Sequence, residues 1–363
     1  MAVSRINEAG LNVNQYGNRN IIINGAMQVA QRGTSSTGIG ASGGYFTIDR
    51  MNTAANGTAG RLTMTQESIT DLPGFTKCLK YACTTADTSI AAAEYLILQQ
   101  NIEGQNLQQL AKGTSSAKKL TVSFYVKGNA AATYVCELQD SNSREISKSF
   151  SVTTSWERVV LTFDGDTDSG GTIVNSNANG IGLQFWLHAG SNFNSGNAGD
   201  LNTSWSAAGT GTRAAGADSF FDSTSRTFFI TGLQMEVGDT ATDFEHRTFG
   251  DELARCQRYY FRLDGGSADS LGFQGEMYNT TNVQIFGRIP KMRAAPTPAV
   301  SAQAGVSTLG GTIVTLSSIN FSAMTTDSFR LSATTSSSIT AGTFMFLRVQ
   351  SSQTGHIEFD AEL

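Results

Sequence analysis

Apolar and polar residues alternate with a period of two through most of the chain, the pattern of strands that bury one face. In RLTMTQ, Leu62 and Met64 point one way and Thr63 and Thr65 the other. CLKYACTT, AEYLILQQNI, KLTVSFYVKG, TYVCELQD, SWERVVLTFDG, GIGLQFWLHAG and RTFFITGLQMEVG repeat the rhythm between glycine-rich and polar turns. Earlier, IIINGAMQVAQ at Ile21 to Gln31 reads as the first strand and FTIDRM at Phe46 to Met51 as a short one. A glycine and serine loop, GTSSTGIGASGGYF, joins them. Spacing and turn chemistry predict an all-β chain whose main part is a two-sheet sandwich of jelly-roll type.

Two segments break the strand rhythm. GQNLQQLAKG sets Leu107 and Leu110 three apart, which predicts a helical turn or two across a sheet end. In GDELARCQRYY, Leu253, Cys256 and Tyr260 fall at helical spacing behind Asp251 as N-cap, so a short linking helix is expected. Further strands follow in SLGFQGEMYN, TNVQIFGRIP, AVSAQAG, TIVTLSSINFS, SFRLSATT, GTFMFLRVQ and HIEFDAEL. Pro290, Pro296 and Pro298 confine the region around KMRAAPTPAV to an edge or a loop. The expected division is an N-terminal arm or docking segment over 1–18, the jelly-roll sandwich over 19–248, and the linking helix with a smaller C-terminal β-sandwich domain over 249–363. The chain carries no repeat of 20 to 50 residues, heptad or collagen-like triplet.

Composition narrows the function classes. The 363 residues include 38 Gly and only 4 Pro, charged residues make up 15%, and the net charge is -5. No basic run offers a phosphate-binding surface, so nucleic acid is not an expected partner. No stretch of 18 apolar residues occurs, so membrane insertion is not expected. Cys78, Cys83, Cys136 and Cys256 lack both CxxC spacing and a nearby histidine pair, and read as buried thiols. The opening MAVSRINEAG has no apolar core of a secretion signal. A β-protein of extracellular style made without such a signal fits a particle component released by lysis.

Several long motifs resemble one family. NRNIIINGAMQVAQRGTS with GYFTIDRM, IEGQNLQQLAKGTSSAKKLTVSFYVKG, GLQMEVGDTATDFEHRTFGDELARCQRYY, KMRAAPTP and the terminal FDAEL are similar to blocks of bacteriophage tail-fibre and related virion proteins that carry a carbohydrate-binding-module-like β-sandwich. The resemblance implies a virion structural protein, a tail fibre or receptor-binding component that attaches to host surface glycans without catalysis. It further implies a homotrimer, contacts to other virion proteins through the arm, location on the particle surface and no cofactor. A capsid-decorating or head-fibre protein is the alternative, and a polysaccharide depolymerase the third reading.

Candidate chemistry is sparse. Asp164, Asp166 and Asp168 in DGDTDSGGTI take the alternate spacing of calcium loops, but the glycine comes one position late and no closing glutamate follows. A solvated hairpin turn is the simpler reading, with a structural calcium as its competitor. For sugar binding, the long polar loop from about Ser191 to Ala217 offers Trp205 with Asn192, Asn194, Asp200 and Arg213. The competing reading makes Trp205 a core cap. Trp156 and Trp186 sit in alternating apolar patterns as packing residues. Asp49 beside Arg50, and Glu245 near Arg247, read as pairs fixing strand ends; Glu103 likewise belongs to a scaffold motif. His188, His246 and His356 have no serine or cysteine partner in a nucleophile elbow. No catalytic residue is expected.

Overall fold

Alternation places one set of side chains from each strand between two sheets, and the first part of the chain is built this way. The structure, a computed structural model, describes residues 18–301, 304–350 and 354–363. It divides into two compact units at Glu252/Leu253, with Leu363 grouped with the first. The arm expected over 1–18 lies outside the described residues except for Asn18.

The first unit contains β1 (Ser35–Ile39), β2 (Ser42–Tyr45), β3 (Asn52–Asn56), β4 (Arg61–Ser68), β5 (Lys77–Thr85), β6 (Tyr95–Glu103), β7 (Leu120–Gly128), β8 (Ala132–Asp140), β9 (Arg144–Val152), β10 (Glu157–Phe163), β11 (Asn179–Ala189), β12 (Ser206–Ala207) and β13 (Thr227–Val237). One sheet runs β1-β4-β5-β13-β7-β10 and the other β12-β9-β8-β11-β6-β3-β2. Between them Leu62, Met64, Leu79, Leu98, Phe124, Tyr134, Leu138, Phe185 and Phe228 form the core. The all-β sandwich is therefore as expected. Gly104 to Asn106 and Gln108 to Leu110 form two short 3-10 turns that bury Leu107 and Leu110.

The opening differs from the expected strand order. Ile21 to Gln31 is buried yet not a strand, because Asn24 and Met27 take positive φ of 61° and 57° and interrupt extension. Its backbone is satisfied mainly by other groups: Ile22 N–H donates to Asn20 Oδ1 (2.9 Å), Ile23 N–H to Gln100 Oε1 (2.8 Å) and Ile21 N–H to the Met235 carbonyl (2.9 Å). Phe46 to Met51 also turns, around Arg50 with φ 69°. The glycine and serine loop between them supplies β1 and β2 instead. Glu245 accepts from the Asn18 and Asn20 N–H groups, and Arg247 donates to the Asn20 and Ile22 carbonyls, so both fix this irregular segment.

Helix α1 (Phe249–Gln257) spans the boundary between the units. Its N-cap is Thr248 and not Asp251: Thr248 Oγ1 accepts from the Asp251 N–H at 3.2 Å, and Asp251 Oδ2 accepts from Thr248 Oγ1 at 2.7 Å. The first bond satisfies one of the free N–H groups of the first helical turn, and the second orients the Thr248 hydroxyl to accept it.

The second unit adds β14 (Tyr260–Gly265), β15 (Ser270–Met277), β16 (Asn282–Arg288), β17 (Thr297–Val300), β18 (Ala304–Ser307), β19 (Val314–Ser322), β20 (Ser328–Thr335), β21 (Phe344–Val349) and β22 (Gly355–Asp360). Here the expected sandwich is replaced by a closed barrel, β15-β16-β20-β19-β18-β21, beside a three-stranded sheet, β14-β22-β17. Closure removes the exposed edges of the barrel strands. Pro298 lies in β17, an edge strand, where its missing N–H costs no ladder bond. Gly275 in β15 has no room for a side chain, since a Cβ there would lie 1.8 Å from the Gln284 carbonyl oxygen. Gly275→Ala is expected to lower the stability of the second unit by about 1–3 kcal/mol through overpacking, read as an earlier midpoint in urea unfolding; an unchanged midpoint would contradict the close approach of β15 and β16.

Candidate functional site

In the seven-stranded sheet the core-facing residues fix what the other face must carry. With Leu96, Leu98, Leu138, Leu183 and Phe185 pointing inward, the intervening positions of β6, β8 and β11 point outward. Cross-strand pairing lines them up in ranks. One rank is apolar: Ala54 faces Ile97, Ile97 faces Trp186, and Trp186 faces Val135. The next is polar: Tyr45, Asn52, Gln99, Gln184, Glu137 and Ser147 are successive partners across six strands. Gln99 Nε2 donates to Asn52 Oδ1 at 3.2 Å, and Gln184 Nε2 donates to Gln139 Oε1 at 3.2 Å. Tyr45, Asn52, Gln99 and Gln139 are half-buried. Asn101, in the neighbouring rank, donates to the Leu363 carbonyl at 3.1 Å.

The loop over 190–217 covers the apolar rank, packing Leu201, Ala214 and Ala215 on Ile97, Val135 and Trp186. The sequence-predicted sugar residues distribute along this loop. Arg213 is turned inward: it pairs with Glu137 (2.5 Å) and Glu145 (2.9 Å), donates to Gln184 Oε1 (3.2 Å) and lies 4.7 Å over the Trp186 ring. Asn194 braces the loop, donating to the Ala217 carbonyl (2.9 Å) and accepting from the Gly196 and Gly216 N–H groups (2.8 and 2.9 Å). Trp205 packs partly buried against the main core, and its indole N–H donates to the Asp164 carbonyl at 2.7 Å. Asn192 and Asp200 are exposed. Asn194, Trp205 and Arg213 thus hold the loop in place.

The three aspartates read as a solvated hairpin turn, with calcium as its competitor, meet cations of the protein itself. The Lys112 ammonium lies 2.8 Å from Asp166 and 2.5 Å from Asp140, and 4.0 Å from the centre of the Trp205 ring. Arg144 holds Asp166 through Nε at 2.8 Å and Asp168 at 3.3 Å, while Asp164 faces Lys119 at 3.0 Å. Burial pushes the Asp166 carboxyl up, but bonds from Arg144 and Lys112 outweigh it and hold the group below its ordinary value. Lysine and arginine stand where a calcium reading needs the ion.

Glu137 and Glu145, both fully buried, share the single Arg213 guanidinium. Burial pushes the Glu137 carboxyl up to about 7; Arg213 pulls it down and Glu145 pushes it further up.

A third cluster was invisible in the sequence. Asp87, Glu94 and His188 are all buried, with donor atoms within 4.8 Å of one another. His188 Nδ1 lies 2.7 Å from Ser219 Oγ, and Nε2 lies 3.5 Å from Glu94 Oε2. Burial pushes the His188 imidazole down. Burial also pushes the Asp87 carboxyl up, yet bonds from Thr58 Oγ1 (2.8 Å) and the Ala59 N–H (2.7 Å) leave it below its ordinary value. These residues come from segments up to about a hundred positions apart, and no local spacing links them.

No protein-family model and no curated protein sequence matches this chain. Solved structures overlap it weakly. A CBM4 structure is 9% identical over 59% of this chain and 97% of that one, with a TM-score of 0.30. The family 11 carbohydrate-binding module of the cellulosomal cellulase Lic26A-Cel5E of Clostridium thermocellum is 13% identical over 55% and 91%, at 0.27. The enzymatically active domain of tailspike protein 4 of bacteriophage CBA120 is 9% identical over 60% of this chain, which spans 21% of that one, at 0.31. At these scores the overlaps carry no argument about ligand or activity.

Asp166→Asn removes one of the two carboxylates that buried Lys112 and half-buried Arg144 each hold, and is expected to cost about 1.5–3 kcal/mol, measured by chemical unfolding; a loss within the range of a surface substitution would show the network to be dispensable. Glu137 titrates near 4.5 when unfolded and near 7 when folded, so the folded state alone holds its proton between those values. Its contribution to stability is full below the lower value and lost as pH rises through the upper one. Glu137→Gln is expected to flatten the fall in melting temperature between about pH 5 and pH 8. A variant with the same slope as the parent removes Glu137 as its source.

Proposed function

We propose that the first unit is a non-catalytic glycan-attachment module, and that its contact surface is the polar rank on the outer face of the seven-stranded sheet. The single observation carrying this reading is the line of half-buried Tyr45, Asn52 and Gln99 across neighbouring strands, continued by the buried Gln184. The Asn52 and Gln99 amides carry donors and acceptors that can match those of a sugar hydroxyl, with one bond already made from Gln99 to Asn52, and Tyr45 adds a ring at the end of the line. Strands separate these groups by roughly 5 Å, a spacing comparable to that of sugar units in an extended chain. The rank rests on a sheet whose other face is a packed core, so the groups are preorganised.

The wider setting we propose is a bacteriophage tail fibre or receptor-binding component. That rests on the resemblance of the long sequence motifs, and on a two-unit β architecture suited to display. Binding at each site is shallow, and multivalent presentation supplies avidity. The test is binding of the purified protein to an array of bacterial surface polysaccharides, with Asn52→Ala and Gln99→Ala, the half-buried members of the rank, as variants. Saturable binding that falls about tenfold or more in the variants, at unchanged melting temperature, is the expected result. Binding unaltered by both variants, or new reducing ends released from the polysaccharide, would overturn the reading.

A further inference from the structure

We infer that Asp87, Glu94 and His188 form a binding site for a divalent transition-metal ion of the zinc type. The inference is independent of the glycan reading, because the cluster shares no residue with the polar rank.

Three features carry it. First, the donors are buried and incompletely satisfied: relative exposure is 6% for Asp87, 7% for Glu94 and 0% for His188, and neither Glu94 Oε2 nor His188 Nε2 has a hydrogen-bond partner. Unpartnered polar groups in such surroundings are costly, and an ion between them removes the cost. Second, the spacing suits a shared ion better than a hydrogen bond. The 3.5 Å between His188 Nε2 and Glu94 Oε2 exceeds the ordinary range for N–H···O. Two bonds of about 2.1 Å opened at the tetrahedral angle put donor atoms about 3.4 Å apart. The donor atoms of all three residues lie within 4.8 Å of one another. Third, the imidazole is held from behind. Ser219 Oγ sits 2.7 Å from Nδ1, which lets Nδ1–H donate and leaves the Nε2 lone pair directed at the carboxylates. That is the outer-sphere arrangement of a ligating histidine.

The donor set selects the ion. Imidazole with two carboxylates suits zinc and its late first-row neighbours, whereas calcium and magnesium prefer an all-oxygen shell. Backbone bonds fix the segments that carry the donors: the Asp87 N–H donates to the Phe221 carbonyl at 2.8 Å, and the Gly190 N–H to the Glu94 carbonyl at 2.8 Å. Asp87 follows β5 of one sheet, while Glu94 precedes β6 and His188 lies in β11 of the other. The ion would therefore staple the two layers at one end of the sandwich, and binding to the folded state alone raises stability by mass action.

The experiment refolds the full chain with Zn2+, removes loosely held metal by gel filtration and measures zinc by mass spectrometry, for the parent, Glu94→Gln and His188→Gln. Glu94→Gln keeps shape and can still accept a hydrogen bond, so it tests ligation rather than folding. Retention of a single zinc per parent chain, cut tenfold or more in both variants, is expected, with a melting temperature that rises on zinc loading in the parent alone. With Co2+ as the probe, the parent should show the visible absorption of a tetrahedral nitrogen and oxygen site. Parent protein that retains no zinc, or Glu94→Gln that retains as much as the parent, overturns the inference.

Discussion

A residue in a sheet serves the core or the outer face but not both, because neighbours along a strand point to opposite sides. In β6, β8 and β11 the core takes Leu96, Leu98, Leu138, Leu183 and Phe185, and this commits Ile97, Trp186, Gln99, Gln184 and Glu137 to the outside. The register then sorts them into an apolar rank and a polar one. The apolar rank needs a cover, which the loop over 190–217 provides. Of the polar rank, Gln184 and Glu137 are buried beneath Arg213, and Tyr45, Asn52 and Gln99 are left half-buried on a rigid base. A one-residue slip of register would put these amides into the core and destroy both features.

The covering loop is irregular, and buried charge holds much of it in position. Around Lys112, cations and carboxylates are closely matched, so Asp166 remains ionised at the cost of its own burial. Around Arg213 the match is poorer, with two carboxylates to a single guanidinium, and burial answers by raising the affinity of Glu137 for a proton. The two networks obey one rule, that low polarity penalises surplus charge. They differ only in their stoichiometry.

Strand positions were largely legible because alternation over eight or nine residues is a local signal, and the segments around Met64, Leu98, Phe124 and Phe228 form strands as read. The misreadings have equally local causes. Ile21 to Gln31 carries the apolar content of a strand, but positive φ at Asn24 and Met27 and side-chain acceptors such as Gln100 make it a buried irregular segment. The C-terminal strands alternate in the same way whether they build a sandwich or a barrel, and the barrel emerges from which edges meet. For the sites, the sequence singled out Trp205 and Arg213 by residue type; their partners, Lys112 with the Asp164 carbonyl and Glu137 with Glu145, lie roughly 40 to 90 positions away. The cluster of Asp87, Glu94 and His188 gave no signal at all.

By itself, then, the sequence determined the all-β character, the approximate strand list, the short helix near residue 250 and the net charge of -5. Each is a property of neighbours along the chain, through side-chain periodicity, backbone propensity or summed charge. Tertiary structure alone decided which strands pair, which end of the outer face is covered, which carboxylates share a cation and which three buried donors converge. Those depend on register and on long-range closure, and chain neighbours carry no record of the distance between residues that folding brings together.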